Sequence, residues 1–363
     1  VNSKLPLQEL NQKEILDNES SPAAENILRP KKLSEYIGQE AVAGKLEVFM
    51  AAAKQRKKVL DHVLLAGPPG LGKTTLAYII AREMGGRLHM TSGPVLDKPV
   101  DAVALLSNLN EGDVLFIDEI HRLGKVVEET LYPAMEDGQV QIVIGEGAAA
   151  QSVNLPLQKF TLIGATTQSG RLSAPLRDRF GIQFNLDFYS QEEMQEILER
   201  SSKLLEIDLD SQEICAIAKR SRGTPRVANR LLSRVRDFVD VYSDDQIKLS
   251  KKATRLMQQG EGQLKVEKAL SFLEVDDKGL QPLDRNYLRT LIKRFDGGPA
   301  GLEAICASMS EDRSTIEEQV EPFLLKLGFI VRSPRGRIAC DQAYSALGLK
   351  RIASKGPQQA LEL

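Results

Sequence analysis

The sequence has no tryptophan, three cysteines, three histidines and almost no net charge. Cys215, Cys306 and Cys340 lie far apart, with no CxxC pair and no histidine cluster near them. That spacing argues against a disulfide framework or a zinc site and leaves them as small buried hydrophobes of a reducing compartment. The 48 basic and 50 acidic side chains nearly cancel, to a formal charge of −2. No global positive field exists, so a polyanionic partner would have to be met by a local patch. No apolar run approaches the ~18 residues of a membrane helix. The first twenty residues, VNSKLPLQELNQKEILDNES, are polar and mixed in charge, unlike a secretory leader. The expectation is a cytoplasmic protein with no membrane partner.

What is present is an α/β pattern. Residues 1–24 show little apolar periodicity and read as a flexible arm. From LRPKKLSEYIGQE (28–40) onward, short apolar strands at HVLLAG (62–67), RLHMTS (87–92), DVLFIDE (113–119) and KFTLIGATT (159–167) alternate with helical segments. Such alternation predicts a parallel sheet covered by helices on both faces, over 25–186. The strands stop after Phe184, and three amphipathic helices follow, giving a small helical domain over 187–258. QQGEGQ (258–263) reads as a linker. Residues 259–347 then offer helices at 265–273, 283–295 and 301–310, another from Ser314, and a hairpin around Pro334-Arg335-Gly336. Ser314 and Glu317 have capping-box spacing and predict a helix start. Helices closed by such a hairpin describe a winged helix, leaving 348–363 as a tail.

The chemistry is concentrated in two stretches. Gly67-Pro-Pro-Gly-Leu-Gly72-Lys73-Thr74 matches GxxxxGK[ST] between a strand and a helix, the context that motif needs. Its glycines let backbone N–H groups turn toward phosphate oxygens at a helix N-terminus. Lys73 is expected on the β- and γ-phosphates of ATP and Thr74 on Mg²⁺. In LFIDEIHR (115–122), a buried strand ends in Asp118-Glu119, where open α/β sheets bind ligands. Asp118 suits the metal and Glu119 a general base acting on water. Thr166 and Thr167 end the GATT strand, and a hydroxyl there can orient the water or sense the γ-phosphate.

These parts together resemble the AAA+ ATPases. The wording of LRPKKLSEYIGQE, GPPGLGKTTLA, TSGPVL, DVLFIDEIHRL, LYPAMED, IGEG, TLIGATT, APLRDRFG, RGTPRVANRLL and SPRGR resembles the RuvB family of bacterial Holliday-junction branch-migration motors, over about residues 25–347. LDKPVDA (96–102) and AMEDGQV (134–140) depart from the family's phrasing. The resemblance implies a homohexameric ring that works with a RuvA-like junction-binding protein and a RuvC-like resolvase. It makes Arg179 an arginine finger supplied in trans, with Arg177 the alternative, and Thr167 the catalytic threonine. Nucleotide contacts are implied for Leu28, Arg29, Gly70, Gly72, Thr75, Glu136, Asp137, Gly138, Tyr189 and Arg226. Arg226 would sense the nucleotide from the helical domain, and Pro225 suits the first turn of its helix.

The winged helix carries its cations unusually. TIEEQVEPFLLKL bears Glu317, Glu318 and Glu321 with a single lysine, so base reading through that helix is not expected. Arg332, Arg335 and Arg337 cluster in the hairpin instead, which suits phosphate contacts without sequence reading. The resemblance gives that role to Arg313, Arg332 and Arg337 on double-stranded DNA. It also makes the strand–turn–strand at 142–155 a docking hairpin for the RuvA-like partner, through Ile142, Ile144 and the alanines 148–150. Two other functions compete with a DNA motor. An ATP-switched loader joining an AAA+ core to a winged helix would turn over slowly. A protein unfoldase would want an aromatic pore loop, which the chain lacks.

Overall fold

The computed structural model describes residues 27–144, 151–243, 250–258 and 265–350. The N-terminal arm 1–24, the alanines 148–150, linker residues 259–263 and the tail from 351 lie outside the described residues. Contacts gather the described residues into two units: one runs to Cys215 and includes Gly223–Arg236, the other comprises Ala216–Arg222 and continues from Asp237.

In the first unit, five parallel strands take the order β2-β3-β6-β1-β7. They are β1 (Val63–Ala66), β2 (Leu88–Ser92), β3 (Val114–Asp118), β6 (Thr161–Thr166) and β7 (Ile182–Asn185). β1 and β6 are buried along their whole length, as apolar strands between two helical layers must be. β7 pairs with β1, placing Ala66 opposite Asn185. β7 has no continuous apolar run to mark it in the sequence, because its alternating buried and exposed residues are those of an edge strand.

The strand order sets up the site. β1, β6 and β3 are neighbours, with Ala66 opposite Thr166 and Ile117 opposite Gly164. Three C-terminal strand ends therefore lie side by side, and they deliver Gly67 onward, Thr166-Thr167 and Asp118-Glu119 to one edge. The amide of Gly67 donates to the Thr166 carbonyl at 3.1 Å, tying the phosphate loop to the threonine strand. Beneath, Leu115, Ile117, Ile120, Leu131, Leu162 and Phe180 belong to one buried core. A separate antiparallel pair, β4 (Gln139–Ile144) with β5 (Gln151–Pro156), forms the expected hairpin arms, with Ile142 opposite an exposed Val153.

Helix Gln191–Leu204 opens this unit's helical portion with a capping box: the Glu193 amide donates to Ser190 Oγ at 3.1 Å, and the Ser190 amide to Glu193 Oε2 at 2.7 Å.

In the second unit, helices Pro282–Arg294 and Leu302–Met309 pack with a segmented third helix and the hairpin β8 (Ile330–Ser333)–β9 (Gly336–Ala339). Tyr287, Leu291, Ile305, Val320 and Leu324 form the centre of that core. The capping box expected at Ser314 is not made. The helix starts one residue earlier, at Arg313, and its N-cap Asp312 makes no side-chain capping bond. A π turn at Ile316–Val320 precedes Glu321–Lys326. Pro322 explains the irregularity, since it has no N–H to close an ordinary helical turn onto the residues before it.

Candidate functional site

The phosphate loop is built on backbone that side chains would obstruct. Gly70 has φ +79°, and a Cβ there would lie 2.7 Å from Thr224 Cγ2 and 3.0 Å from Arg226 Cβ. At Gly72, φ +99°, it would meet the Tyr36 hydroxyl at 2.8 Å. Lys73 opens helix Lys73–Met84 and is buried, its Nζ donating to the Gly67 and Pro68 carbonyls at 2.7 and 2.9 Å. Burial lowers its pKa to about 8, against the opposing pull of Glu119 and Asp118, while Arg226 adds to the lowering. A desolvated cation over inward-turned glycines fits a polyphosphate.

Next to it, one bonded network joins two strand ends, those of β3 and β6. Asp118 Oδ1 accepts the Glu119 amide at 3.0 Å, and Glu119 adopts a left-handed φ of 47°. Thr167 donates its hydroxyl to Glu119 Oε2 at 3.0 Å. His121 Nδ1 lies 3.1 Å from the same oxygen and 2.9 Å from Oγ1 of the fully buried Thr166. Burial lowers the His121 pKa despite the neighbouring Glu119 charge, so the ring is neutral at pH 7. Of the two threonines left open by the sequence, Thr167 touches the carboxylate directly and Thr166 reaches it through the imidazole.

Around the loop, Arg226 donates its amide to the Gly70 carbonyl at 3.4 Å. Tyr189 donates its amide to the Gly223 carbonyl at 3.0 Å, and its phenol oxygen lies 3.0 Å from that of Tyr36. Both phenols sit near the Leu71 carbonyl, at 3.3 and 3.4 Å. Burial pushes the Tyr189 hydroxyl up to about 12, so it remains a donor. Leu28 is buried, with its carbonyl accepting from Arg200 at 2.7 Å. The Arg29 guanidinium stacks 4.4 Å from the ring centroid of Tyr78, a residue of the phosphate-loop helix. Thr74 and Thr75 are half-buried in the first turn of the same helix.

Arg179 is held by a different set of residues. It follows the short helix Ala174–Asp178, whose N-cap Ser173 accepts from the Leu176 amide and donates to the buried Glu128 at 2.6 Å. The guanidinium stacks on Tyr132 at 4.2 Å and donates to the Pro175 carbonyl at 2.6 Å and to Glu136 at 3.1 Å. Its Nε is buried without a hydrogen-bond partner. Glu136 ends helix Lys125–Glu136, followed by Asp137 and by Gly138 at φ +63°, so these three and Arg179 form one group. None of these contacts involves the phosphate loop.

In the second unit, the arginines proposed for phosphate contact are each ion-paired. Arg313 bridges Glu303 at 2.7 Å and Glu317 at 3.1 Å. Arg332 and Arg337 both grip Glu321, at 2.6 and 2.7 Å. The expectation of a carboxylate-rich helix face is corrected here: Glu321 is 0 % exposed and lies under the hairpin as its counter-ion.

Residues 28–186 match the family described as the Holliday junction DNA helicase RuvB P-loop domain, 189–260 the RuvB AAA lid domain, and 277–348 the RuvB C-terminal winged helix domain. The chain is also similar to solved structures of Thermotoga maritima RuvB. A variant with one lysine replaced by arginine is 50% identical with a TM-score of 0.78, covering 89% of this chain and 99% of the other. The structure described as the Holliday junction branch migration motor is 49% identical, with the same TM-score and coverage. The chain belongs to the RuvB family.

This RuvB-family chain is accordingly an ATP-hydrolysing enzyme of the helicase-like kind, and its P-loop unit binds nucleotide. Among the described residues no cluster of three or more His, Cys, Asp or Glu side chains is placed to hold a metal alone. A divalent ion at Thr74 and Asp118 would complete its shell with nucleotide oxygens, which is how Mg²⁺ is usually held. No helix among the described residues is long and apolar enough to cross a membrane. Tyr36 and His121 join the site without a sequence signal of their own. Each lies next to a motif, but nothing local distinguishes a phenol that backs a loop carbonyl from an ordinary core tyrosine.

Proposed function

We propose that the protein is an ATP-driven motor that pulls duplex DNA and drives branch migration of Holliday junctions in homologous recombination and repair, as a homohexameric cytoplasmic ring. A RuvA-like junction-binding protein would dock on the β4–β5 hairpin through Ile142 and Ile144, and a RuvC-like resolvase would share the complex. The domains are those set out from the sequence: 25–186, 187–258 and 259–347, flanked by the arm and the tail.

The observation that carries this reading is the separation of Arg179 from the nucleotide cluster. Lys73, Asp118, Glu119 and Thr167 converge in one chain, with Arg226 beside the phosphate loop, and a further cation would serve the charge that develops on the transferred phosphoryl group. Arg179 offers one, on a group of residues whose contacts lie elsewhere. Head-to-tail packing of identical subunits would bring that group, with Glu136, Asp137 and Gly138, to a neighbour's nucleotide.

In this mechanism Lys73 binds the β- and γ-phosphates and Thr74 and Asp118 hold Mg²⁺, which when bound neutralises phosphate charge. Glu119 accepts the proton of the attacking water, while Thr167 and His121 fix which carboxylate oxygen faces it. Leu28, Arg29 and Tyr189 surround the adenine, Gly70, Gly72 and Thr75 line the phosphates, and Arg226 senses nucleotide from the lid. Arg313, Arg332 and Arg337 contact phosphates of any sequence.

The test is ATP-dependent dissociation of a synthetic four-way junction, with and without RuvA, beside Lys73→Ala. Separation into duplex arms by the wild type and not the variant supports the motor. An intact junction despite ATP and DNA binding would point to the loader instead.

A further inference from the structure

We propose that Glu321 is the positioning residue of the arginine hairpin, a buried carboxylate that fixes Arg332 and Arg337 in one arrangement so that duplex phosphates meet cations already ordered. The inference rests on the reading of that hairpin as a DNA-contact element.

Arg332 and Arg337 are directly opposite each other across β8 and β9. Two like charges facing across a hairpin repel and would splay their long side chains. Glu321 prevents this. Its Oε2 accepts from Arg332 Nε at 3.0 Å and Nη2 at 2.6 Å, and from Arg337 Nη2 at 3.2 Å, while its Oε1 accepts from Arg337 Nε at 2.7 Å. The hydroxyl of the fully buried Tyr287 donates to Oε1 at 3.0 Å and holds the carboxylate from below.

Each arginine thus presents its Nε–Nη2 edge to Glu321. A guanidinium has five N–H donors, so the Nη1 group of each stays outside the carboxylate's grip. The triad itself holds two positive charges against one negative, with Glu317 a further 3.8 Å from Arg337, and its arginines face outward through side chains that are 49 % and 18 % exposed. Ordering two free arginines on a phosphate backbone would cost side-chain entropy at the moment of binding; here folding has already ordered them.

The prediction runs against simple charge counting. Removing a buried negative charge from a DNA-binding surface should tighten binding by Coulomb attraction alone, and would also do so if Glu321 merely competed with phosphate. Positioning predicts the reverse.

The experiment measures binding of the full-length protein to a fluorescein-labelled duplex of mixed sequence by anisotropy, across a salt series. It compares wild type, Glu321→Gln, Arg332→Ala with Arg337→Ala, and all three changes together, each checked for cooperative thermal unfolding. Glu321→Gln should weaken binding by about tenfold, the scale of one lost charge-assisted hydrogen bond, and should lower the slope of log K against log salt by up to about 1.8 as two phosphate contacts loosen. In the arginine-less background the same change should have no further effect. Tighter or unchanged binding by Glu321→Gln, with the double arginine variant still weak, overturns the positioning role and leaves the hairpin reading standing. Wild-type affinity in the double arginine variant overturns the hairpin reading itself. Should Glu321→Gln fail to fold, the arginine Nε–H NMR signals of ¹⁵N-labelled wild-type protein carry the test. Arg332 and Arg337 signals that stay exchange-protected with duplex bound support the pinned arrangement, and signals released on binding overturn it.

Discussion

Glu119, the proposed general base, keeps little freedom once its neighbours are counted. Thr167 at 3.0 Å and His121 at 3.1 Å address one of its oxygens. Thr167→Val is expected to retain nucleotide binding and lose roughly 10²-fold in turnover, the range for a misplaced general base; a single-turnover ATPase assay against nucleotide titration separates the two effects. His121→Phe removes the second contact and should lower the turnover number more than it raises the KM for ATP. The placing of the phosphate loop and the Asp118-Glu119 pair at strand ends was legible in the sequence because each is a contiguous stretch directly after a buried strand. His121 and Tyr36 were not. Their roles depend on which carboxylate or carbonyl the fold brings to them, and a lone histidine or tyrosine carries no local signature of that.

At the scale of elements, the parallel sheet followed directly from apolar strands alternating with helices, and the wing from a turn between two short apolar runs. The third helix of the winged unit was harder to read. Its capping-box spacing at Ser314 is real, but Pro322 and the demands of packing decide where the helix starts and how it is wound. Nothing in the run of Glu317, Glu318 and Glu321 distinguishes the last from a surface carboxylate, since burial under a hairpin is a tertiary fact. That burial raises its pKa, but the hydrogen bonds from Arg337 and Arg332 outweigh it and hold the carboxyl below its ordinary value. A carboxylate with a depressed folded pKa contributes stability that is complete above its unfolded pKa and disappears as pH falls through the folded one. The stability gap between wild type and Glu321→Gln should therefore be widest at neutral pH and shrink below about pH 4.5, as followed by urea unfolding. A gap independent of pH would mean that the charge of Glu321 is not what stabilises the element.

At the scale of the whole molecule, the proposed arginine finger makes each chain half of two active sites. Arg179→Ala is expected to keep ATP binding and lose roughly 10³-fold or more in turnover. Mixing it with Lys73→Ala offers a sharper check, because each inactive chain supplies what the other lacks. Random head-to-tail assembly of equal amounts leaves about a quarter of interfaces with both an intact phosphate loop and an intact finger. ATPase activity should therefore reappear on mixing. Two variants that remain silent together would place the finger in the same chain as the loop it serves.

The left-handed backbone of Glu119, at φ 47°, has a consequence for how this enzyme can be improved. A long unbranched side chain is poorly suited to that conformation, which asparagine adopts more readily. Glu119→Asn is expected to abolish turnover while matching or exceeding the wild-type melting temperature. Selection for thermal robustness alone would then drift toward inert protein at this position, and a stabilised motor has to be sought through changes elsewhere in the chain.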